Sequence, residues 1–214
     1  GQFFVLMDDA LAIELGADIH GAVPDVFINA DGFKKSISAP GPGNYLTMAK
    51  AVHSAMQIVG PDAVKERSFV HAHGSSTPAN RTTESEILDR VADAFGINNW
   101  PVAAAKAYVG HSLASASADQ LMATLGSFRY QIIPGIKTID AVADDVHQTH
   151  LQISTQDVDR QSKPLEVAFI NSKGFGGNNA SALVLAPSVV ERMLAKRYGE
   201  AVFADYRARR EQTR

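Results

Sequence analysis

Short apolar segments that read as strands alternate along this chain with longer stretches whose apolar residues recur at helical spacing. That alternation restricts the fold more than any other feature. Phe69-Val70-His71-Ala72 precedes a helix with Thr82, Thr83 and Glu84 near its start and Ile87, Leu88, Val91 and Phe95 on its inner face. Val102-Ala103-Ala104-Ala105 is a second buried strand, followed by a helix through the small residues from Ala114 to about Tyr130. Strands interleaved with helices pack as α/β layers. Leu165 to Ile170 and Ala180 to Leu185 are close enough in sequence to pair antiparallel, which makes the sheet mixed.

The first residues read as a strand too. Phe3-Phe4-Val5-Leu6-Met7 is apolar and bounded by Asp8 and Asp9, a buried strand without neighbours of its own, so a segment upstream of Gly1 is expected. Asp8 or Asp9 can cap a helix over Ala10 to Leu15 that Gly16 closes, and Gly21 to Ala30 reads as the next strand. Ser36 to Asn44, rich in Pro and Gly, reads as a loop, and Leu46 to Val59 as a helix ended by Gly60-Pro61. Residues 1–187 thus form one unit. Residues 188–214, with Val190, Leu194, Tyr198, Val202 and Tyr206 in a charged background, read as an amphipathic helical extension outside the core.

Composition excludes several functions. A net charge of −3 gives no electrostatic reason to expect a nucleic-acid partner. No apolar run approaches the roughly 18 residues of a membrane span. With no cysteine there is neither a disulfide scaffold nor a thiolate metal site, and His71-x-His73 lacks a third ligand, so no metal is expected. A cytoplasmic location fits this balance.

Three of the strands run into turns of unusual composition, and strand ends are where α/β folds place their sites. The turns are His73-Gly74-Ser75-Ser76-Thr77-Pro78, Lys106-Ala107-Tyr108-Val109-Gly110-His111, and Gly174-Phe175-Gly176-Gly177-Asn178. Two histidines delivered in this way can converge on one point. His71, on the strand that leads to His73, is expected to face away from it.

Together, and in this order, these turns resemble those of the elongating β-ketoacyl synthases: an HGTxTP-like turn, a K-x-x-x-G-H turn and an N-S-F-G-F-G-G-x-N loop, here Asn171 to Asn179. The resemblance extends from Gly1 to about Pro187. It implies a thiolase-like α-β-α-β-α layered fold, of which this chain is the C-terminal half with a mixed sheet. It also implies decarboxylative condensation of a malonyl thioester with an acyl thioester. His73 and His111 would be neutral donors to the malonyl thioester oxygen, with Lys106 fixing charge and geometry behind them. Ser75 and Thr77 would hold the phosphopantetheine arm. Phe175 would gate the acyl group and lend its backbone N–H to a second oxyanion hole. Gly174, Gly176 and Gly177 would let that loop bend. The nucleophilic cysteine would lie upstream, on the N-terminal half.

The resemblance further implies acyl carrier protein as a partner, a homodimer of the complete enzyme, and no cofactor beyond the 4'-phosphopantetheine that arrives with the substrate. Carrier protein is acidic, so Arg81 and Lys173, then Arg207, Arg209 and Arg210, are candidates for a basic docking rim. The sequence departs from the family pattern at Lys173, where a phenylalanine is usual, at Gln120, where a glutamate is usual, and at Ala114 and Ser117, where glycines are usual. Two other readings stand beside the enzyme: a non-catalytic chain-length-factor-like subunit, and an unrelated hydrolase or binding module. No G-x-S-x-G elbow supports a hydrolase.

Overall fold

A computed structural model describes residues 1–32 and 41–213. The expected loop at residues 36–40 lies outside them. Helix α1 (Asp9–Leu15) is capped as its sequence predicts: the Asp8 carboxylate accepts the Leu11 N–H at 2.8 Å, and Gly16 closes it at φ 62°. Strand β1 (Ala22–Ala30) follows, then α2 (Pro42–Val59) and the short α3 (Pro61–Glu66). Pro42, Gly43 and Asn44 thus belong to a helix and not to the expected loop, because proline is well suited to a first helical turn, where its missing N–H has no partner to lose.

Next come β2 (Ser68–His71), α4 (Pro78–Phe95), β3 (Trp100–Ala103), the single turn α5 (Lys106–Val109) and α6 (Ala116–Tyr130). Three short strands without a clear sequence signal follow: β4 (Ile132–Ile133), β5 (Leu151–Ile153) and β6 (Val158–Asp159). The hairpin strands β7 (Val167–Gly174) and β8 (Asn178–Leu185) lead to α7 (Pro187–Tyr198) and α8 (Glu200–Thr213).

Six strands form one sheet in the order β1-β8-β7-β2-β3-β5. The pairs β7–β2, β2–β3 and β3–β5 are parallel, while β7–β8 and β8–β1 are antiparallel, so the sheet is mixed as expected. Adjacent residues of β7 mark the layers, since successive side chains on a strand face opposite ways. The Asn171 amide meets Asn44 of α2 and Glu84 of α4, whereas the Ser172 hydroxyl meets Ser117 of α6. One helical layer therefore holds α2 and α4, and the other holds α6.

Phe69, Phe128, Trp100 and Phe169 anchor the core through edge-on ring contacts, and the Trp100 indole N–H donates to Ser68 Oγ at 2.9 Å.

The two ends of the chain depart from expectation. Residues 1–7 join no strand ladder among the described residues, and Phe3, Val5 and Leu6 lie open to solvent. The extension is not outside the core: Phe203 and Tyr206 are fully buried in the same apolar cluster as the sheet. It is also two helices, broken at Gly199 (φ 85°). The Tyr206 hydroxyl donates to the Ala17 carbonyl at 2.9 Å and Arg209 to the Ile13 carbonyl at 3.0 Å, so α8 reinforces the glycine cap by which the Gly16 and Ala17 N–H groups already bond Ile13 and Ala12. Gly16 has to be glycine there, for a Cβ would sit 2.6 Å from Arg209 Cβ.

Candidate active site

Beyond β2 the chain turns through two residues in the left-handed region, Gly74 (φ 57°) and Ser76 (φ 59°), and enters α4 at Pro78. Glu84 occupies the inner face of α4 one turn before Ile87 and Leu88, which carries its carboxylate back under this turn. There it accepts four hydrogen bonds: from the His73 N–H at 2.7 Å, the Gly74 N–H at 2.9 Å, Asn80 at 3.1 Å and Asn171 at 2.7 Å. The Lys106 ammonium, itself buried, donates to the His73 carbonyl at 2.6 Å. Both polar groups of the His73 backbone are thereby fixed by oppositely charged side chains.

The two histidines come together, their rings meeting edge-on with centroids 5.3 Å apart. His73 Nδ1 accepts the Lys173 N–H at 3.3 Å, and His111 Nδ1 accepts the Leu113 N–H at 3.1 Å. A backbone N–H can only donate, so each Nδ1 is unprotonated and in the neutral ring the proton sits on Nε2. Burial holds the His73 pKa down at about 4, against the pull of Glu84, with Lys106, His111 and Lys173 adding to the depression. His111 is also lowered, by desolvation and then by Lys106, although its ring is more open. The site is thus two neutral N–H donors in contact, an arrangement that meets negative charge growing on a substrate oxygen.

Gln120 supports the same strand ends from the other layer. Its amide donates to the carbonyls of His71, Ala72 and Asn171 at 3.2, 2.7 and 3.2 Å. Asn44, Thr47, Asn171 and Ser181 extend this buried polar network. Sequence reasoning missed it. The available signal was Glu84, which stands in register with the apolar face of its helix where a carboxylate is costly unless paired.

The remaining predicted residues sort differently. Thr77 begins α4, but its hydroxyl makes no capping bond, and Ser75 lines a cavity of about 660 Å³ that also reaches Lys106, His111 and Glu84. Phe175 stands exposed on the turn between β7 and β8, its carbonyl held by Asn178 at 2.7 Å. Gly176 (φ 77°) and Gly177 (φ 79°) need the left-handed region, whereas Gly174 is extended at φ −126° and has room for a side chain.

His71 is the last residue of β2, and His73 lies beyond the strand, so alternation along the strand does not set the two against each other. His71 packs edge-on against Phe69, fully buried, with its pKa lowered to about 4 by desolvation. Nor do the basic-rim candidates form a free rim. Arg81 is held by Asp145 in a two-pronged pair at 2.8 and 2.9 Å, and Lys173 is buried. Arg207 lies over the Phe203 ring, Arg209 caps α1, and Arg210 pairs with Glu191. Among the described residues, no three His, Asp or Glu side chains gather as a metal site, and no helix is long and apolar enough to cross a membrane.

Comparison with known proteins follows the same geometry. Residues 20–140 match the family described as beta-ketoacyl synthase, C-terminal domain. Over 213 residues the chain is 75% identical to the beta-ketoacyl-[acyl-carrier-protein] synthase FabY of Pseudomonas aeruginosa, covering 100% of this chain and 33% of that protein. The crystal structure of that noncanonical ketosynthase superposes with a TM-score of 0.94, covering 97% of this chain and 32% of the other. The ishigamide ketosynthase/chain length factor is 26% identical with a TM-score of 0.64, over 83% of this chain and 41% of that one. The fold is therefore the thiolase-like fold of the ketosynthases, and the chain spans about a third of the length of the FabY relative.

Proposed function

This chain belongs to the beta-ketoacyl synthase C-terminal domain family, and we propose that it supplies the decarboxylating half of the active site of a β-ketoacyl-[acyl-carrier-protein] synthase in fatty acid biosynthesis. One observation carries the reading. Each of two touching imidazoles has Nδ1 occupied by a backbone N–H, which leaves two Nε2–H donors at the site. In the reaction, the bond between the malonyl α-carbon and its carboxylate breaks, carbon dioxide departs, and the electron pair forms an enolate. His73 and His111 donate to the enolate oxygen, stabilising it more than the ground-state thioester. The α-carbon then attacks the acyl thioester held on a cysteine. A carbon–carbon bond forms and the cysteine sulfur leaves as thiolate.

That cysteine has to come from polypeptide outside these residues, which contain none. The exposed apolar segment at Phe3, Val5 and Leu6, together with Val23, Val26 and Ile28 on the open side of the edge strand β1, supports packing against an N-terminal half. A helix N-terminus there would suit a thiolate. Acyl carrier protein would bring malonate on its 4'-phosphopantetheine arm past Ser75 and Thr77. Phe175 would stand at the acyl entrance, its backbone N–H serving acyl transfer.

The test pairs two steps in the complete enzyme. His73→Ala and His111→Ala are expected to cut release of labelled carbon dioxide from malonyl thioester on the order of 100-fold to 1000-fold, while the mass of the acyl-enzyme shows that self-acylation persists. Unchanged decarboxylation in both variants would overturn the assignment.

A further inference from the structure

His73 and His111 are held by unlike means. The backbone of His73 is fixed from within the core by Glu84 and Lys106. His111 stands on an open loop, and its ring is oriented by a single bond from the Leu113 N–H. Leu113 has φ 61°, a left-handed conformation that is unfavourable for a residue with a Cβ. Something has to hold that backbone in place for the ring to keep its aim.

Asp119, near the start of α6, does so. The Ser112 hydroxyl, next to Leu113, donates to Asp119 Oδ2, and Ser115 Oγ donates to the Ser112 carbonyl at 3.3 Å. The second carboxylate oxygen, Oδ1, accepts from the Gln2 side chain, so the group is anchored from the opposite side as well. These two bonds, ahead of the nearby Lys106 charge, hold the Asp119 carboxyl below the usual carboxylate range, and it stays an anionic acceptor at neutral pH. An acidic residue in the first turn of a helix is also favoured by the helix dipole.

We propose that Asp119 is a positioning residue for His111, acting through Ser112 to fix the loop that aims the Nε2–H donor. The inference rests on the reading of His111 as a donor to the enolate. Asp119 touches no reacting atom, so its loss should act on decarboxylation alone.

The experiment uses the complete enzyme with Asp119→Ala, Ser112→Ala, His111→Ala and the Asp119→Ala/His111→Ala pair. Decarboxylation of malonyl thioester gives kcat and KM, acyl-enzyme mass gives self-acylation, and thermal melting reports folding. Asp119→Ala and Ser112→Ala are each expected to lower the kcat of decarboxylation about 10-fold to 100-fold, the scale of a misplaced group. KM, melting temperature and acylation should hold, the double variant should be no worse than His111→Ala, and Asp119→Glu should recover part of the loss. Normal decarboxylation in Asp119→Ala beside a depressed His111→Ala would sink this inference alone. Losses that multiply in the double variant, or fall equally on acylation, would sink it too. Normal decarboxylation in His111→Ala would overturn the donor reading and this proposal with it.

Discussion

The turn carrying His73 and the clamp between α1 and α8 solve the same problem, immobilising backbone polar groups at the end of an element, with opposite materials. Under the turn, a buried carboxylate takes two backbone N–H groups and two side-chain amides in a dry setting. At the clamp, Tyr206 and Arg209 donate to the carbonyls of Ala17 and Ile13, supported by the burial of Phe203 and Tyr206. The first arrangement leaves little slack, because His73, Asn80, Asn171 and Glu84 are all buried and losing the carboxylate leaves their groups unsatisfied. The second rests on apolar area, with neutral or partly solvated bonds added. The difference separates a region built for geometry from a region built for cohesion, and it can be attacked experimentally.

The largest effect is expected at the carboxylate. Glu84→Ala leaves four donors without an acceptor and should cost about 3–5 kcal/mol, read as a lower denaturation midpoint, with decarboxylation lost before global unfolding. Retained activity at full stability would mean that the turn is held by something other than Glu84.

Acid should strike the same region next. Among the described residues the ring nitrogens of His71 have no hydrogen-bond partner, and its pKa of about 4 lies below the unfolded value near 6.5, as does that of His73. Between those values the unfolded chain binds more protons than the folded one, so stability is full above roughly pH 6.5 and declines as pH falls toward 4. His71 alone contributes up to roughly 3 kcal/mol by this route. Denaturation midpoints at pH 7.5, 5.5 and 4.5 should fall in wild type and fall less steeply in His71→Asn, where His73 still titrates, whereas parallel curves would place the acid sensitivity elsewhere.

At the clamp the effect is smaller and of another kind. Gly16→Ala meets Arg209 Cβ at 2.6 Å from a left-handed backbone and should cost about 2 kcal/mol of stability. Under assay conditions where the enzyme stays folded, its decarboxylation rate should match wild type. A rate defect without a stability defect would erase the contrast between the two regions.

Much of this was readable in the residues themselves. Asp8 and Gly16 announce the two ends of α1, proline and glycine punctuate α2, and the three strand-end turns place both histidines. What periodicity supplies is a face, never the partner across from it. Asn44 meets Asn171 across 127 positions and Arg81 meets Asp145 across 64, and neither pairing leaves a local trace. Arg81 and Lys173 consequently read as free positive charge when one is paired and the other buried. The terminal helices differ for a similar reason: the charged residues of α8 make its apolar stripe, seen at Val202 and Tyr206, read as a surface face, and Phe203, which is buried beside Tyr206, does not stand out.

The bond from Tyr206 to Ala17 spans 189 positions and that from Arg209 to Ile13 spans 196. Closing so long a loop costs entropy before any contact repays it. During translation α8 emerges after every other described element, and until then the Ala17 carbonyl lacks its Tyr206 partner and the Ile13 carbonyl keeps only the bond from the Gly16 N–H. Between α1 and α8, then, most of the described elements are made before this clamp can close, and the apolar cluster that receives Phe203 and Tyr206 stays open meanwhile. The clamp cannot close before α8 is made, and in that interval the uncovered apolar cluster is exposed to aggregation or to capture by chaperones.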